Sequence, residues 1–565
     1  MNLILPLLLV LAPAFQDEKP APLTSGRPAP DGQTCFEVES YHLRIKVLPE
    51  KQSIEGSVDV TAQLLRPTKE IVLDLHDDLK VSRIALKLVD KNGLASHLDM
   101  KFTQKEGEVT AYVLQLFRRH QIVTGQNFTL TVWYGGKPRV APRAPWDGGF
   151  QWDRTPSGAH WIATSNQMQG ADLWWPCKDQ PDDEPESISI DVTVPEGLIC
   201  ASNGKLLEVT TADGWSTFHW YVSTPINTYG VALNIAPYKT ITQDYTSTAG
   251  DTFPITYWVL PENLEKGKIL FEDLLLEIRW FETTYGPYPF RADKFGLVET
   301  PHLGMEHQSI IAYGNDYRGN PWGVDQGFDF LMHHEVSHEW WANLVTCRNW
   351  KDFWIHESFG TYAQSLYTEH LKGPEAYRQR MSEIRKGIRN LAPVAPRENM
   401  STAEVYFGDT GGDIYNKGAW VLHTLRWLVG DEKFFLAQRR MAYPDPALEN
   451  LTDGSACRFV DTEEIRAIAE KYTEQDLDWF FEVYLRQPAL PILEHSVKGG
   501  ELRLQWIVPG KLRFPVPVEV SVDGELQVIP MRNGKGEIAV RSDAKIVIDP
   551  NAWLLKVEEP KQESR

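Results

Sequence analysis

His334-Glu335-Val336-Ser337-His338, followed by eighteen residues and then Glu357, is the stretch from which the rest of this chain is read. Residues four apart on a helix lie one turn above each other, so His334 and His338 can each aim a ring nitrogen at a single ion. Glu335 then flanks that ion without having to ligate it. The flanks, Phe328 to His333 and Trp340 to Val345, contain no Gly or Pro and carry apolar residues at helical spacing. That pattern predicts one buried helix through the motif. Two histidines and a glutamate inside such a helix must be paired, coordinated or neutral, because burying them unsatisfied is costly. A metal ion meets that need for the whole cluster.

Working outward, Asp352 to Lys372 predicts a second helix, stopped by Gly373-Pro374, with Glu357 near its start. Two antiparallel helices joined by a short loop, Thr346 to Lys351, bring Glu357 back beside His338. The result is a His2Glu site with one coordination position open for water, the arrangement of a catalytic rather than a structural zinc. No cysteine joins the cluster. One zinc ion per chain is the expectation.

Three further segments complete a pattern. They are Leu303-Gly304-Met305-Glu306-His307, Ile414-Tyr415-Asn416-Lys417-Gly418-Ala419 and Trp175-Pro176-Cys177-Lys178-Asp179-Gln180-Pro181. Together with His334 to Glu357, they resemble the aminopeptidase N family of zinc peptidases, the gluzincins with HEXXH-X18-E. The first matches the family's exopeptidase motif, the second the segment that holds its catalytic tyrosine, and the third a signature of its N-terminal domain. Leu303 and His307 depart from the small residue and Asn that are usual in the exopeptidase motif, so the first substrate pocket is expected to differ.

The resemblance implies a role for each match. His334, His338 and Glu357 ligate zinc, which lowers the pKa of bound water towards about 7. Glu335 is the general base and then the general acid. Tyr415 donates its hydroxyl to the oxyanion. Glu306, with Gly304 and Met305 beside it, pairs with the free α-ammonium of a substrate. Gln167 and Gln169 resemble the pair that helps hold the substrate's amino end, although they lie two residues closer to Pro176 than the family pattern has them.

Composition agrees with a large globular protein. At 565 residues the chain suggests about three domains, and 42% hydrophobic with 24% charged residues is a globular balance. A net charge of −20 disfavours nucleic acid or anionic membrane as a partner and mildly favours cationic substrates. Leu3 to Leu11 is an apolar core followed by Ala12-Pro13-Ala14, so residues 1–14 read as a signal peptide and the chain as exported, periplasmic or secreted. That run is too short to anchor in a bilayer, and no later stretch is long enough. Five cysteines allow at most two bridges and do not fix the compartment.

The fold class is α+β, in several domains. Residues 15–33 are rich in Pro, Gly and polar residues and predict a flexible lead. Alternating segments over 34–240 predict an antiparallel β domain, helical patterns dominate 241–486, and short strands return over 487–565 as a small β-sandwich. The resemblance implies the same layout, with a saddle-like β domain, a thermolysin-like catalytic domain and a small β domain. Many members append a large helical domain over the site. Its absence from this sequence predicts a more open site, or one covered by a second subunit of a homo-oligomer.

The expected function is therefore zinc-dependent removal of N-terminal residues from peptides with a free amino terminus. A thermolysin-like endopeptidase would use the same zinc site without needing Glu306. A non-enzymatic binding protein on the same fold would be expected to have lost a ligand or the base. A lipid-epoxide hydrolase, as in one branch of the family, would end in helices rather than strands.

Overall fold

The computed structural model describes residues 25–89, 95–112, 124–167, 170–408 and 411–557. The segment read as a signal peptide lies outside them, as does the lead up to residue 24. The remainder of that lead is not the free tether its composition predicts. Ser25 accepts a hydrogen bond from Trp350 Nε1 at 3.1 Å, Arg27 pairs with Asp74 at 2.9 Å, and Gln33 is fully buried. Polar residues that find buried partners override a loop-like composition.

Alternation of apolar and polar residues builds the N-terminal half into sheets. Strand Phe36–Leu48 buries Phe36 and Val38, then Tyr41, Leu43, Ile45 and Val47. A register shift between Val38 and Ser40 resets the alternation by one residue. The strand lies inside an eight-stranded sheet, antiparallel to Ser53–Leu64 and parallel to Ser187–Pro195. The parallel pair departs from the antiparallel expectation, because alternation fixes which face is buried and not the direction of the neighbour. A four-stranded sheet contains His160–Ser165 and releases the chain into Asn166-Gln167. The two sheets share one apolar core, into which Trp174, Trp175 and Cys177 of the Pro-Cys segment pack.

The break expected after residue 240 falls inside strand Lys239–Thr246. The chain changes sheets at Pro237 instead, between Leu233–Ala236 and Lys239–Thr246, where a residue without an N–H cannot continue the ladder. The next sheet has five strands and carries Gly304–Met305 at its edge, paired to Ile311–Tyr313.

Helices α1 (Leu264–Tyr285), α2 (Phe330–Ser337), α3 (Trp354–Lys372), α4 (Pro374–Gly387), α5 (Thr402–Phe407) and α6 (Asn416–Val429) surround the site. α2 is shorter than its sequence predicts. It ends at His338 and passes into a π-type turn, Glu339–Leu344, kinked at Trp341 and Ala342. All six residues of that turn are buried, so apolar spacing marked burial here rather than continued helix. α3 ends at Gly373 in the left-handed region, with φ 81°, the glycine stop that the sequence predicts.

Beyond residue 487 stand two three-stranded sheets, one holding Glu501–Ile507 and the other Val518–Val522. Leu502, Leu504, Trp506 and Val520 face inward and join the core of the helical body through Phe514 and Tyr484. Among the described residues no helix is long and apolar enough to cross a membrane. All five cysteines are free thiols.

Candidate metal centre and active site

Asp329 aims the first half of the site. Its Oδ1 accepts from the Leu331 and Met332 amides, both at 3.1 Å, which caps α2. Its Oδ2 accepts from Tyr313 Oη at 2.8 Å and Asn315 Nδ2 at 2.9 Å, fastening the cap to the five-stranded sheet. α2 then presents His334 and His338 one turn apart.

The Nε2 atoms of His334 and His338 are 3.2 Å apart, and Glu357 Oε2 lies 3.3 Å from the first and 3.7 Å from the second. Donors held 2.0–2.1 Å from one tetrahedral ion are about 3.3 Å from each other, so this triangle fits a zinc-sized ion. The rings are oriented for it. His338 Nδ1 donates to the Trp341 carbonyl at 3.0 Å, which leaves Nε2 with its lone pair free. The kink that ends the helix supplies that carbonyl. The side chain of Gln364 lines the cavity with His334, and its Nε2 donates to Phe330 O at 2.7 Å. Burial pushes the His334 pKa down to about 4 and lowers that of His338, so both rings stay in the neutral form that ligates metal.

Two further carboxyl groups, Glu306 and Glu335, join Glu357 at this triangle. Burial raises the pKa of Glu306, Glu335 and Glu357 above the usual range, and for Glu335 the charges of Glu306 and Glu357 raise it further. Such a cluster favours cationic occupants. Glu306 is 2% exposed and follows the edge strand Gly304–Met305. Its Oε1 accepts from Gln167 Nε2 at 2.6 Å and from Tyr229 Oη at 3.3 Å, while Asn343 Nδ2 donates to its backbone carbonyl at 3.0 Å. The glycine at 304 keeps the backbone close to Glu335, since a Cβ there would come within 2.6 Å of its Oε1 and push that side chain aside.

Tyr415 sits at the start of α6, its hydroxyl against that of Tyr406. Tyr406 Oη also lies within hydrogen-bond reach of Glu357 Oε1, at 3.3 Å. Burial, reinforced by Glu357, holds the Tyr415 pKa well above the usual phenol value, so it remains a proton donor. The residues after it dock the helix. A Cβ on Gly418 would meet Ser358 Oγ at 1.7 Å, and Lys417 Nζ donates to the carbonyls of Gln487 and Pro488, both at 3.0 Å.

His334, Glu335, His338, Glu357, Glu306, Gly304, Met305, Gln167 and Tyr415 all line one cavity of about 450 Å³. Gln169 lies outside the described residues. Leu303 lines the cavity as well, whereas His307 is fully buried and does not. Of the two departures in the exopeptidase motif, only Leu303 therefore bears on the pocket. Sequence reasoning missed Tyr229, Tyr406, Gln364 and Arg380. Gln364 was findable, seven residues after Glu357 and so on the same helix face; the others have no local signal.

Two family models match the chain, the Peptidase M1 N-terminal domain over residues 37–229 and the Peptidase family M1 domain over residues 277–444. Between them they cover both the sheets and the metal centre. The chain belongs to the peptidase M1 family. Among its M1 relatives, human endoplasmic reticulum aminopeptidase 1 is 23% identical over 67% of this chain and 40% of that protein. Aminopeptidase N of Streptomyces lividans is 26% identical over 65% of this chain and 47% of that protein. The chain thus spans less than half the length of these curated relatives. The same fold occurs in an M1 zinc metallopeptidase mutant from Deinococcus radiodurans, crystallised with a Tyr-Ser-Ala substrate. That structure is 21% identical with a TM-score of 0.63, over 81% of this chain and 95% of that one.

Proposed function

We propose that this M1 chain is a zinc-dependent aminopeptidase that removes the N-terminal residue of peptides. The observation that carries the reading is the buried Glu306 carboxyl, held by Gln167 and Tyr229 in the cavity that contains the metal-ligand triangle. A free α-ammonium pairs with it, one residue away from the scissile bond. A blocked or internal peptide would leave Glu306 unpaired in a desolvated site, which penalises binding. A thermolysin-like endopeptidase has no use for a carboxylate there.

His334, His338 and Glu357 hold one zinc ion, which when bound supplies Lewis acidity at the coordination position they leave open. Glu335 takes the proton of the attacking water and returns it to the leaving amine. Tyr415 donates to the oxygen that becomes negative, and Tyr406 fixes the direction of that hydroxyl. In this reading the sheets of the N-terminal half contribute Gln167 and Tyr229, the region to residue 486 contributes ligands, base and tyrosine, and residues 487–565 brace α6 through Lys417. The apolar run Leu3 to Leu11 supports export of the protein.

The test exposes purified protein to a mixed peptide library and to the same library N-acetylated, each with and without a zinc chelator. Mass spectrometry reads the cut positions. Stepwise loss of N-terminal residues, abolished by acetylation and by chelator, is expected. Internal cuts that ignore acetylation would sink the reading in favour of an endopeptidase.

A further inference from the structure

Arg380 reaches the catalytic cavity from α4. It lines the same cavity as Glu306. The Glu306 charge bears on His338 and Glu357, whereas that of Arg380 bears on His334. Its guanidinium lies 4.5 Å over the ring of Phe330, the first residue of α2. The side chain is 13% exposed.

So buried a cation ordinarily has a close, well-aligned counterion. Arg380 does not. Among the described residues its one ion pair is a 3.3 Å contact from Nη1 to Glu383, and its Nε has no hydrogen-bond partner. Burial pulls its pKa below the usual arginine range, and Glu383 offsets only part of that. A guanidinium carries five N–H donors in a fork that matches a carboxylate. Most of that capacity is unspent. Arg380 is also the only Lys or Arg among the described residues lining the cavity, whose other fixed charges are Glu306, Glu335 and Glu357.

We propose that Arg380 binds a carboxylate on the leaving side of the scissile bond, which makes short peptides with a nearby negative charge the preferred substrates. The inference rests on the aminopeptidase reading above. A di- or tripeptide is a zwitterion with its charges at opposite ends, and this one cavity offers both an anionic group, Glu306, and a cationic one, Arg380. A volume of about 450 Å³ is at the small end of the range for ligand sites, which also favours a short substrate. The carboxylate has two sources, the C-terminus of a short peptide or an acidic side chain directly after the cut. Either makes a bidentate, charge-assisted pair with Arg380.

The experiment compares Leu-Gly with its C-terminal amide, and Leu-Asp amide with Leu-Asn amide, on the zinc-loaded protein and on Arg380→Met and Arg380→Lys. Steady-state kinetics gives kcat and KM separately, and calorimetry on Glu335→Gln gives binding without turnover. We expect the carboxylate member of at least one pair to be favoured about tenfold in kcat/KM, through KM, as for one hydrogen bond to a charged group. The calorimetric affinities should differ in the same sense. Preference in the first pair assigns the C-terminus, and preference in the second assigns the side chain. Arg380→Met should abolish the preference and Arg380→Lys keep part of it. Equal rates within both pairs for the unmutated protein, or a preference that survives Arg380→Met, overturns the proposal while leaving the aminopeptidase reading intact. Turnover of none of the four peptides overturns both. Should Arg380→Met fail to fold, the unmutated protein and Arg380→Lys still decide.

Discussion

The side-chain amide of Gln167 donates to the Glu306 carboxylate at 2.6 Å across 139 positions of sequence. The same Nε2 lies 3.4 Å from Glu357 Oε1, and the amide oxygen lies 3.3 Å from Tyr406 Oη. One side chain at the end of strand His160–Ser165 thus touches the proposed ammonium acceptor, a proposed metal ligand and the tyrosine pair. An amide suits this position because it has both a donor and an acceptor to offer.

Removing that amide should loosen Glu306 more than the chemistry. Gln167→Ala is expected to raise KM for peptides with a free amine about tenfold, with a smaller fall in kcat, the size of one lost hydrogen bond to a charged group. Gln167→Glu should be worse, because it sets a third carboxylate against Glu306 and Glu357. Steady-state kinetics on a dipeptide amide checks both. A rise in KM no larger than twofold for either variant would remove Gln167 from the substrate site.

Tyr415 and Tyr406 touch through their hydroxyls, yet only Tyr415 is assigned to the reacting oxygen. Tyr415→Phe should lower kcat by about 10² to 10³ with little change in KM, as for other oxyanion donors. Tyr406→Phe leaves the donor present but unguided, and a loss nearer tenfold is expected. If the two losses were reversed, Tyr406 would be the oxyanion donor.

How much of this was legible depends on where each residue's neighbours come from. His334, His338 and Glu357 could be read because helical geometry alone sets the first two four residues apart, and the third follows on the next helix. Asp329 and Gln364 lie within the same two helices and could have been read from cap position and face. Tyr229, Tyr406 and Arg380 could not, since each meets the site only through packing between elements far apart in sequence. The end of α2 was hidden for a different reason. Trp340 to Leu344 are as buried as a helix would make them, and burial is all that the apolar pattern reports. Likewise, strand alternation gave the buried faces of the N-terminal sheet but not the parallel pairing of Phe36–Leu48 with Ser187–Pro195.

Gly418 lets α6 lie against α3, and this contact should be testable through stability. A methyl group there would fall 1.7 Å from Ser358 Oγ and 2.6 Å from its Cβ. Gly418→Ala should therefore destabilise the protein by about 1–3 kcal/mol, the usual cost of overpacking, and displace Tyr415 enough to lower turnover. Ser358→Gly in the same chain should recover part of the stability, because the two sites couple directly. Urea unfolding of the four chains closes the cycle; additive effects would mean that the helices do not meet at this point.

His423 makes stability sensitive to acid. It is fully satisfied as a neutral ring, with Nε2 donating to Ala552 O at 3.2 Å and Nδ1 accepting from Tyr377 Oη at 2.6 Å. Burial pushes its pKa down to about 3, whereas in the unfolded chain it takes a proton near pH 6.5. Between those values the unfolded state binds more protons, so stability falls as pH falls from about 6.5 towards 3. One histidine of this kind contributes at most about 1.4 kcal/mol per pH unit. His423→Gln should flatten the dependence of unfolding free energy on pH between 6.5 and 4.5 by up to that slope. Comparing both proteins at equal zinc cancels the titration of the metal ligands. Parallel curves would show that His423 is not a source of the acid sensitivity.

Metal binding and chemistry should separate at neighbouring residues. His334 supplies a corner of the donor triangle, whereas Glu335 faces the cavity without forming part of it. Zinc content by elemental analysis should be about one per chain in the unmutated protein and in Glu335→Gln, and far lower in His334→Ala. Turnover should fall by about 10² to 10⁴ in Glu335→Gln, the range for loss of a general acid–base, despite the retained metal. Because the ion binds the folded chain and not the unfolded one, chelation should also lower Tm, and added zinc should restore both Tm and activity. His334→Ala should have the lower Tm from the outset and respond little to zinc. The decisive combination is a zinc-replete Glu335→Gln: full metal with turnover close to that of the unmutated protein would assign the proton transfers to another group and leave Glu335 as no more than a wall of the cavity.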